Sequence, residues 1–210
     1  MKGKFIIGID EVGRGACAGP LYVCAFALPQ KFPLKVNGLP PLRDSKQLSP
    51  RQREEWLSYF SRGRKEGKVA WAIARISHKE IDRKGMAYAT KKAATRASEA
   101  LVKKEGRPGL ILLDGSLYVD SNNPALKNIR AKTIIKGDEK IPAISCASIV
   151  AKVMRDSLMA RSCKAYPGYG FERHKGYGTR AHRVAVSRRG PSAIHRLTFI
   201  RGWVKIQTNK

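Results

Sequence analysis

The stretch Phe5–Gly15, F-I-I-G-I-D-E-V-G-R-G, decides how the chain is organised. Its first half is a short apolar run with β-branched residues, which predicts a strand buried on both faces. The run reaches two adjacent carboxylates, Asp10 and Glu11, whose side chains would point to opposite faces of a continuing strand. We therefore predict that the strand ends at these acids and that Gly13 and Gly15 form the turn after it.

Arg14 stands between the two glycines, where the absence of a Cβ lets backbone N–H groups approach a phosphate or a sugar closely. An ion pair between Glu11 and Arg14 is an alternative interpretation of the same loop. Both interpretations stay open at this point.

The charge of the chain is strongly unbalanced. Its 210 residues include 42 Lys and Arg against 16 Asp and Glu, a formal net charge of +26. This excess favours a polyanionic partner, and nucleic acid is preferred over a membrane because no apolar run is long enough to span a bilayer. The first twenty residues lack the apolar region of a signal peptide, so we predict a cytoplasmic protein with no membrane partner.

The length fits one domain with a sizeable core. The cysteines show no C-x-x-C spacing and mostly lie among apolar or small residues, which predicts reduced structural thiols. They are Cys17, Cys24, Cys146 and Cys163.

Patterning after the glycine loop predicts a β-meander. Gly19–Leu28 predicts a second strand, antiparallel to the first, and Val69–Ile76 a third. Between them a Pro-rich loop leads to Ser49 and Pro50, an N-cap followed by proline at N1, which predicts a helix through Phe60.

A second apolar strand that ends on an acid follows a long helical stretch. The Ala-rich region from His78 to about Lys104 predicts one helix with a kink or break at Gly85. Gly109–Asp114, G-L-I-L-L-D, then repeats the opening theme. Because a helix precedes it, a right-handed crossover places this strand parallel to the first.

The last part of the chain is basic and aromatic. Lys132–Ile135 predicts a fifth strand, and Pro142 begins an Ala-rich helix to about Cys163. From Tyr166 onwards the chain is rich in glycine and aromatic residues, with no acids after Glu172. A solvated basic face is one interpretation, but the interleaved rings favour nucleic-acid contact because they stack on bases and sugars. The basic residues are Arg173, Lys175, Arg180, Arg183, Arg188, Arg189, Arg196, Arg201, Lys205 and Lys210.

Four acids stand at strand ends or in the adjoining turns: Asp10, Glu11, Asp114 and Asp138. Clustering them is unfavourable unless a cation neutralises them. Oxygen ligands favour Mg²⁺ or Mn²⁺, and two such ions would align a water with a phosphodiester and stabilise the leaving oxygen. The alternative is that each aspartate is a helix cap or a turn residue.

Six motifs, taken in order, resemble ribonuclease HII, the bacterial type 2 ribonuclease H. They are I-D-E-V-G-R-G, D-S-K-Q-L-S, L-L-D-G, K-G-D, A-S-I-V-A-K-V-M-R-D and Y-G-F-E-R-H-K-G-Y-G-T, between Ile9 and about Phe199. The resemblance implies an α/β, ribonuclease H-like fold: a mixed five-stranded sheet flanked by helices, with a C-terminal helical segment. We expect a catalytic core over 1–165 and a basic substrate-binding segment over 166–210 packed on it, as a single domain.

The resemblance also implies an endoribonuclease. It would hydrolyse the RNA strand of RNA/DNA hybrids and incise 5′ of single ribonucleotides in duplex DNA, as in ribonucleotide excision repair, leaving 3′-hydroxyl and 5′-phosphate ends. Its cofactors would be two divalent ions, Mg²⁺ or Mn²⁺, held by the four acids. We expect a monomer, with a sliding-clamp contact as an open option.

Substrate residues follow from the same resemblance. The glycine-arginine-glycine loop would sense the 2′-hydroxyl, which alone distinguishes RNA from DNA at a given position. Tyr177 would stack on the deoxyribose after the junction, and the other basic residues would hold phosphates. Asp44 is an alternative partner for Lys46, and Asp156 for Arg155. The full set is Gly13, Arg14, Gly15, Lys46, Arg155, Lys175 and Tyr177.

The sequence departs from the family pattern at two places. Ala16 and Cys17 follow the glycine loop where proline and a larger apolar residue are expected, which affects loop rigidity. Gly85 replaces a common asparagine, which affects helix continuity. The related HIII type carries an extra N-terminal domain and a glutamate as its fourth acid, so Asp138 and the early first strand favour HII.

Two other functions stay open from the sequence. A non-catalytic RNA-binding module would explain the charge, but it gains nothing from four carboxylates that face a polyanion. A DNA nuclease or strand transferase would keep the fold, but it needs no sensor of a 2′-hydroxyl.

Overall fold

The structure, a computed structural model, describes residues 4–203 of the chain. Within that range the sheet consists of β1 (Phe5–Val12), β2 (Leu21–Pro29), β3 (Ala70–Ile76), β4 (Leu110–Asp114) and β5 (Ala131–Ile134). The spatial order is β3-β2-β1-β4-β5; β1, β2 and β3 pair antiparallel, whereas β1, β4 and β5 pair parallel. The mixed five-stranded sheet predicted from the sequence is confirmed.

The helices are α1 (Pro50–Lys65), α2 (His78–Lys84), α3 (Met86–Glu105), α4 (Gly137–Lys140), α5 (Pro142–Ala165), α6 (Phe171–His174) and α7 (Arg180–Arg189). The predicted helices are present as α1, α2 with α3, and α5, whereas α4, α6 and α7 were not predicted from the sequence patterning. At α1, Ser49 and Gln52 form a reciprocal capping box, which satisfies two backbone N–H groups. At Gly85 the backbone has φ of +81°, a left-handed conformation that ends one helix and begins the next, so the predicted long helix is broken.

Helices cover both faces of the sheet. On one face Ile9 of β1 shares a core with Leu101 of α3. On the other face Phe26 of β2 shares a core with Phe60 of α1 and Val150 of α5. The result is a three-layer α/β/α arrangement with β1 buried on both sides, as its unbroken apolar run predicts.

Strand β1 continues through the two acids instead of ending at them. Its antiparallel ladder with β2 extends to the pair Val12–Tyr22, and the turn begins only at Gly13. The predicted strand end at Asp10 and Glu11 is therefore wrong, because pairing with the long strand β2 carries β1 past them. The two carboxylates consequently start on opposite faces of the sheet.

The C-terminal segment packs against the loop that follows β1. Isolated β-bridges join Ala16 to Tyr177 and Ala18 to His195, so both flanks of this loop are tied to the segment. Basic residues of the segment that lie outside the described residues are Lys205 and Lys210.

Two further predictions concern the cysteines and membrane-spanning segments. The cysteines are free thiols, three of them buried and Cys163 partly exposed. In the described part of the chain, no helix combines the length and the apolar character needed to cross a membrane.

Candidate active site

The carboxyl ends of β1 and β4 bring two acids side by side. These parallel strands pair up to Ile9 and Leu113, so Asp10 and Asp114 follow at neighbouring positions on the face covered by α5. Asp138 lies next to Asp114, because the backbone N–H groups of Gly137 and Asp138 both donate to Oδ1 of Asp114, at 2.6 and 3.3 Å. The predicted grouping of these acids at one sheet edge thus has a structural basis in strand register.

Three of the predicted metal-binding carboxyls, those of Asp10, Glu11 and Asp114, have raised pKa values. Burial, followed by the charges of Glu11 and Asp114, raises the pKa of Asp10 well above its ordinary value. Burial likewise raises the pKa of Glu11, although Arg14 opposes the shift, and burial with the charge of Asp138 raises that of Asp114. Mutual repulsion in a buried setting is the condition that a bound cation relieves.

Glu11 is held on the other side of the strand by Arg14. Its Oε1 lies 3.6 Å from Nη1 of Arg14, and the same nitrogen donates to Oγ of Ser116 at 2.7 Å. The predicted Glu11–Arg14 ion pair is therefore present, but it leaves the Arg14 side chain about half exposed, at 48%. Arg14 thus spans the turns after β1 and β4 while still facing solvent.

Lys46 pairs with Asp138. Its Nζ lies 3.4 Å from Oδ2 of Asp138, whereas Asp44 accepts only from the backbone N–H of Lys46. Burial disfavours the charged amine, but the carboxylates of Asp44 and Asp138 outweigh it and raise the pKa of Lys46. The side chain of Lys46 stays 77% exposed, so its amine can leave Asp138 for a phosphate at little energetic expense.

Serines that the sequence analysis did not single out support the acids. Ser148 of α5 hydrogen bonds to the Asp10 carboxyl, and its hydroxyl lies 2.8 Å from that of Ser45. One turn earlier in α5, Ser145 donates to the Asp138 carbonyl at 2.7 Å. The three-residue spacing of Ser145 and Ser148 in the otherwise apolar first half of α5 was the available sequence signal.

The donor chemistry fits divalent ions. All the ligands on offer are carboxylate oxygens, which Mg²⁺ and Mn²⁺ prefer. Within residues 4–203, however, no three Asp, Glu, His or Cys side chains already converge as a ready metal-binding group. Each acid is instead held by protein donors, as expected where like charges repel.

The glycine loop combines a fixed turn with open space. Gly13 has a φ of +88°, and its carbonyl oxygen accepts a hydrogen bond from the Ala16 N–H at 3.4 Å, which closes the turn. A Cβ on Gly15, in contrast, would meet nothing within 4 Å. The predicted turn is present, and its Gly15 side offers room for a substrate group.

Tyr177 lies against this loop. Its main chain forms the bridge to Ala16, and the guanidinium carbon of Arg155 lies 5.5 Å from its ring centroid. Nζ of Lys152 approaches the same ring at 5.9 Å. The predicted ribose sensor and the predicted sugar-stacking ring are therefore neighbours.

Arg155 is buried and fully used by the protein. Its three guanidinium nitrogens donate to the carbonyls of Ala18, Pro20 and Lys175 at 2.9 to 3.0 Å, and its exposed fraction is 0%. This corrects the prediction that Arg155 holds a phosphate, because each guanidinium nitrogen already donates to a carbonyl and no exposed surface remains for one. The predicted Arg155–Asp156 pair is also absent as a direct contact: Asp156 pairs with Lys152 at 3.0 Å.

A second basic residue of the predicted nucleic-acid face, Arg196, is also buried. It donates to the carbonyls of Gly19 and Arg14 at 3.0 and 2.9 Å, and burial lowers its pKa to about 10. Arg196 therefore stabilises the main chain of the glycine loop at Arg14 and of the residues that follow it at Gly19. Lys175 is partly exposed, but its Nζ donates to the Glu172 carbonyl at 2.6 Å.

A five-stranded mixed sheet that carries acids at the ends of its central parallel strands defines a metal-dependent nuclease of the ribonuclease H-like class. A family model described as Ribonuclease HII matches residues 7–202. The chain belongs to the ribonuclease HII family. It is accordingly a metal-dependent endoribonuclease of the ribonuclease H type, and RNA/DNA hybrids are the substrates of this activity.

Relatives cover nearly the whole chain. Ribonuclease HII of Pelagibacter ubique is 38% identical over 93% of this chain and 96% of its own length. That of Prochlorococcus marinus is 40% identical over 95% and 98%. Among solved structures, ribonuclease H2 from Pyrococcus horikoshii is 25% identical, with a TM-score of 0.70 over 95% of this chain and 96% of its own. RNase HII in the PCNA:RNase HII complex from Archaeoglobus fulgidus shares the fold, at 22% identity and a TM-score of 0.71 over 98% of both chains.

Proposed function

We propose that this protein also incises duplex DNA on the 5′ side of single embedded ribonucleotides, in addition to hydrolysing the RNA strand of hybrids. The products are 3′-hydroxyl and 5′-phosphate ends. The reaction belongs to ribonucleotide excision repair in the cytoplasm, and the active species is a monomer.

The bridge between Ala16 and Tyr177 carries this proposal. It ties the main chain of Tyr177 to Ala16, the residue after Gly15, in the loop that would read a 2′-hydroxyl, and a Cβ on Gly15 would meet nothing within 4 Å. A ribose seated at Gly15 is followed by a sugar that reaches Tyr177, and a sugar without a 2′-oxygen stacks best on the ring. Adjacent sites for a ribose and a deoxyribose are what recognition of a lone ribonucleotide requires.

The acids hold the cofactor in this proposal. Asp10, Glu11, Asp114 and Asp138 would hold two Mg²⁺ or Mn²⁺ ions, which would supply positive charge to stabilise the reacting oxygens of a phosphodiester. Ser148 orients the Asp10 carboxyl, and Arg14 orients Glu11. The raised pKa values support the assignment, since cation binding offsets the repulsion that burial strengthens.

Basic side chains position the duplex. Lys46 and Lys175 contact phosphates, and Arg14 reaches a phosphate from its half-exposed position. The substrate-binding segment over 166–210 works as part of the same domain as the core over 1–165. The PCNA complex of the Archaeoglobus fulgidus protein supports a sliding clamp as a candidate protein partner, which co-elution with a clamp would test.

The test is cleavage of a labelled DNA duplex that contains one ribonucleotide. It is run with Mg²⁺, with Mn²⁺ and with a chelator, beside an all-DNA duplex and a full RNA/DNA hybrid. We expect metal-dependent incision 5′ of the ribonucleotide, with the all-DNA control intact. Cleavage of the hybrid without incision at the lone ribonucleotide would contradict the proposal while leaving the ribonuclease H activity in place.

A further inference from the structure

Two buried histidines form a hydrogen-bonded chain that ends on Tyr177. Nδ1 of His182 lies 2.9 Å from the Tyr177 carbonyl oxygen, and Nε2 of His182 lies 2.9 Å from Nε2 of His195. At the far end the Ser192 N–H donates to Nδ1 of His195 at 2.8 Å. Both imidazoles are buried, with exposed fractions of 0% and 2%.

The Tyr177 carbonyl, at one end of this chain, determines every proton in it. A carbonyl only accepts, so His182 carries its proton on Nδ1 and presents a lone pair at Nε2. His195 must then donate from Nε2, which leaves its Nδ1 as the acceptor of the Ser192 N–H. Burial lowers the pKa of both imidazoles to about 4, which keeps them neutral at pH 7. Two other Ser192 groups lie near the same nitrogen: the hydroxyl at 2.8 Å, which can donate to an unprotonated Nδ1, and the carbonyl oxygen at the longer distance of 3.3 Å.

The chain links Tyr177 to the glycine loop by a second route. The first route is the bridge from Ala16 to Tyr177, and the second runs from Ala18 through its bridge with His195 to His182 and then to the Tyr177 carbonyl. The Tyr177 N–H is held as well, by the His174 carbonyl at 2.9 Å. The main chain of Tyr177 is thus fixed on both sides relative to the loop.

We propose that His182 and His195 are positioning residues that hold the Tyr177 ring at the spacing from the Gly13–Gly15 loop that a ribose–deoxyribose junction requires. The inference rests on the proposed function, because it concerns the junction role of Tyr177. Neither histidine touches the substrate. Their removal therefore impairs incision at a lone ribonucleotide more than cleavage within a long hybrid. In a long hybrid the enzyme cuts linkages between two ribonucleotides, where no deoxyribose follows the cleavage site.

The tautomers are read first, on the wild-type protein without substrate. Long-range ¹H–¹⁵N spectra at pH 7 should show His182 protonated on Nδ1 and His195 on Nε2. A proton on Nε2 of His182 would overturn the chain whatever the activity of the enzyme.

Selectivity is measured next, as the ratio of the rate at a lone ribonucleotide to the rate in a long hybrid. We expect His182→Leu to lower this ratio about three- to tenfold, because a small displacement of a positioned group has a large kinetic effect. His182→Asn keeps a donor near the Nδ1 position and should recover most of the ratio. If His182→Leu does not fold, His195→Gln, which retains a donor toward His182, is compared with His195→Leu.

Epistasis separates positioning from general destabilisation. In a Tyr177→Ala background, His182→Leu should change the ratio no further, since the two act through the same ring. His78→Leu is the matched control, a half-buried imidazole that faces the C-terminal segment at Ala193 but lies outside the chain. We expect it to leave the ratio unchanged.

The outcomes are distinguishable. A wild-type protein that does not incise the lone ribonucleotide contradicts the proposed function. Normal wild-type selectivity, combined with equal losses on both substrates in His182→Leu or with additive losses in the double variant, contradicts the positioning role alone.

Discussion

A Cβ atom on Gly13 would lie 2.2 Å from Nε of Arg155, so the glycine loop and the buried guanidinium occupy adjoining space with no room between them. Arg155 cannot move aside, because carbonyls hold all three of its guanidinium nitrogens. One end of the family's glycine-arginine-glycine motif therefore has a packing role.

The two glycines of the loop should respond differently to alanine. Gly13→Ala combines a φ of +88° with this clash, and we expect it to lower the free energy of unfolding by about 2 to 4 kcal/mol. Gly15→Ala meets nothing within 4 Å, so stability should change by less than about 0.5 kcal/mol while ribonucleotide incision falls. Denaturant unfolding and the cleavage assay measure the two effects. Similar stability losses in both variants would contradict the division.

Neutralising an acid should exchange activity for stability. Asp10→Asn removes a buried carboxylate whose pKa is raised, so repulsion within the acid cluster falls and unfolding should occur at a higher temperature. Metal-dependent cleavage should fall about 10²-fold or more, with duplex binding retained. Thermal unfolding and binding are measured without metal; near-full activity would exclude Asp10 as a metal ligand.

Substitutions of Arg155 and Lys46 should distinguish a structural cation from a phosphate-binding one. Arg155→Met leaves three carbonyls without a donor and should destabilise the protein by about 3 to 5 kcal/mol. Lys46→Met should hardly affect stability but should reduce the slope of log affinity against log salt by about 0.9. Unfolding curves and salt titrations of hybrid binding test both. A changed salt slope in folded Arg155→Met would restore a phosphate role.

Exposed arginines of α7 should contribute to binding. Arg180 and Arg188 are exposed at either end of this helix. Replacing both with glutamine should weaken binding on all duplexes alike and reduce the salt slope by about 2. Binding titrations at several salt concentrations measure the slope. Unchanged slope and affinity would mean that this helix is only a solvated basic face.

Acid should destabilise the histidine chain. His182 and His195 have a folded-state pKa of about 4 and an ordinary value of 6.5, so between these pH values the unfolded chain binds more protons. Stability is therefore lost as pH falls through this window, by at most about 3 kcal/mol for each imidazole. The reference is a His182→Gln/His195→Gln double variant. It retains His174, whose ring stacks on that of His182 in the wild-type protein with the centroids 4.2 Å apart. Parallel pH profiles of the two proteins would contradict the neutral pair.

Local patterns were enough to predict the sheet, the helix caps and the acids. The apolar runs before Asp10 and Asp114 indicated strands, and the helical stretch between them implied the parallel pairing that is observed. The end of β1 was placed too early, because the length of its ladder depends on β2 and not on its own residues. Strand ends are set by the partner strand as much as by the local sequence.

Local sequence patterns could not predict which groups the basic residues contact. The sequence predicts a phosphate contact or an Asp156 ion pair for Arg155 and a basic nucleic-acid face for Arg196, yet both side chains are buried beside the glycine loop. Lys46 had Asp44 two positions away but pairs with Asp138, which is 92 residues distant. Nothing in the local sequence of a cation says whether carbonyls from elsewhere will surround it.

The sequence by itself determined the five strands, the helices α1, α2, α3 and α5, the four acids within or shortly after the strands and the kinship to ribonuclease HII, because periodicity, caps and motifs are local properties. Only the tertiary structure decided which basic side chains are buried and which stay exposed, and it alone brought Ser192, His195, His182 and Tyr177 into one hydrogen-bonded chain. The reason is physical: burial and hydrogen bonding between distant residues arise from packing, and packing exists only once the whole chain has folded.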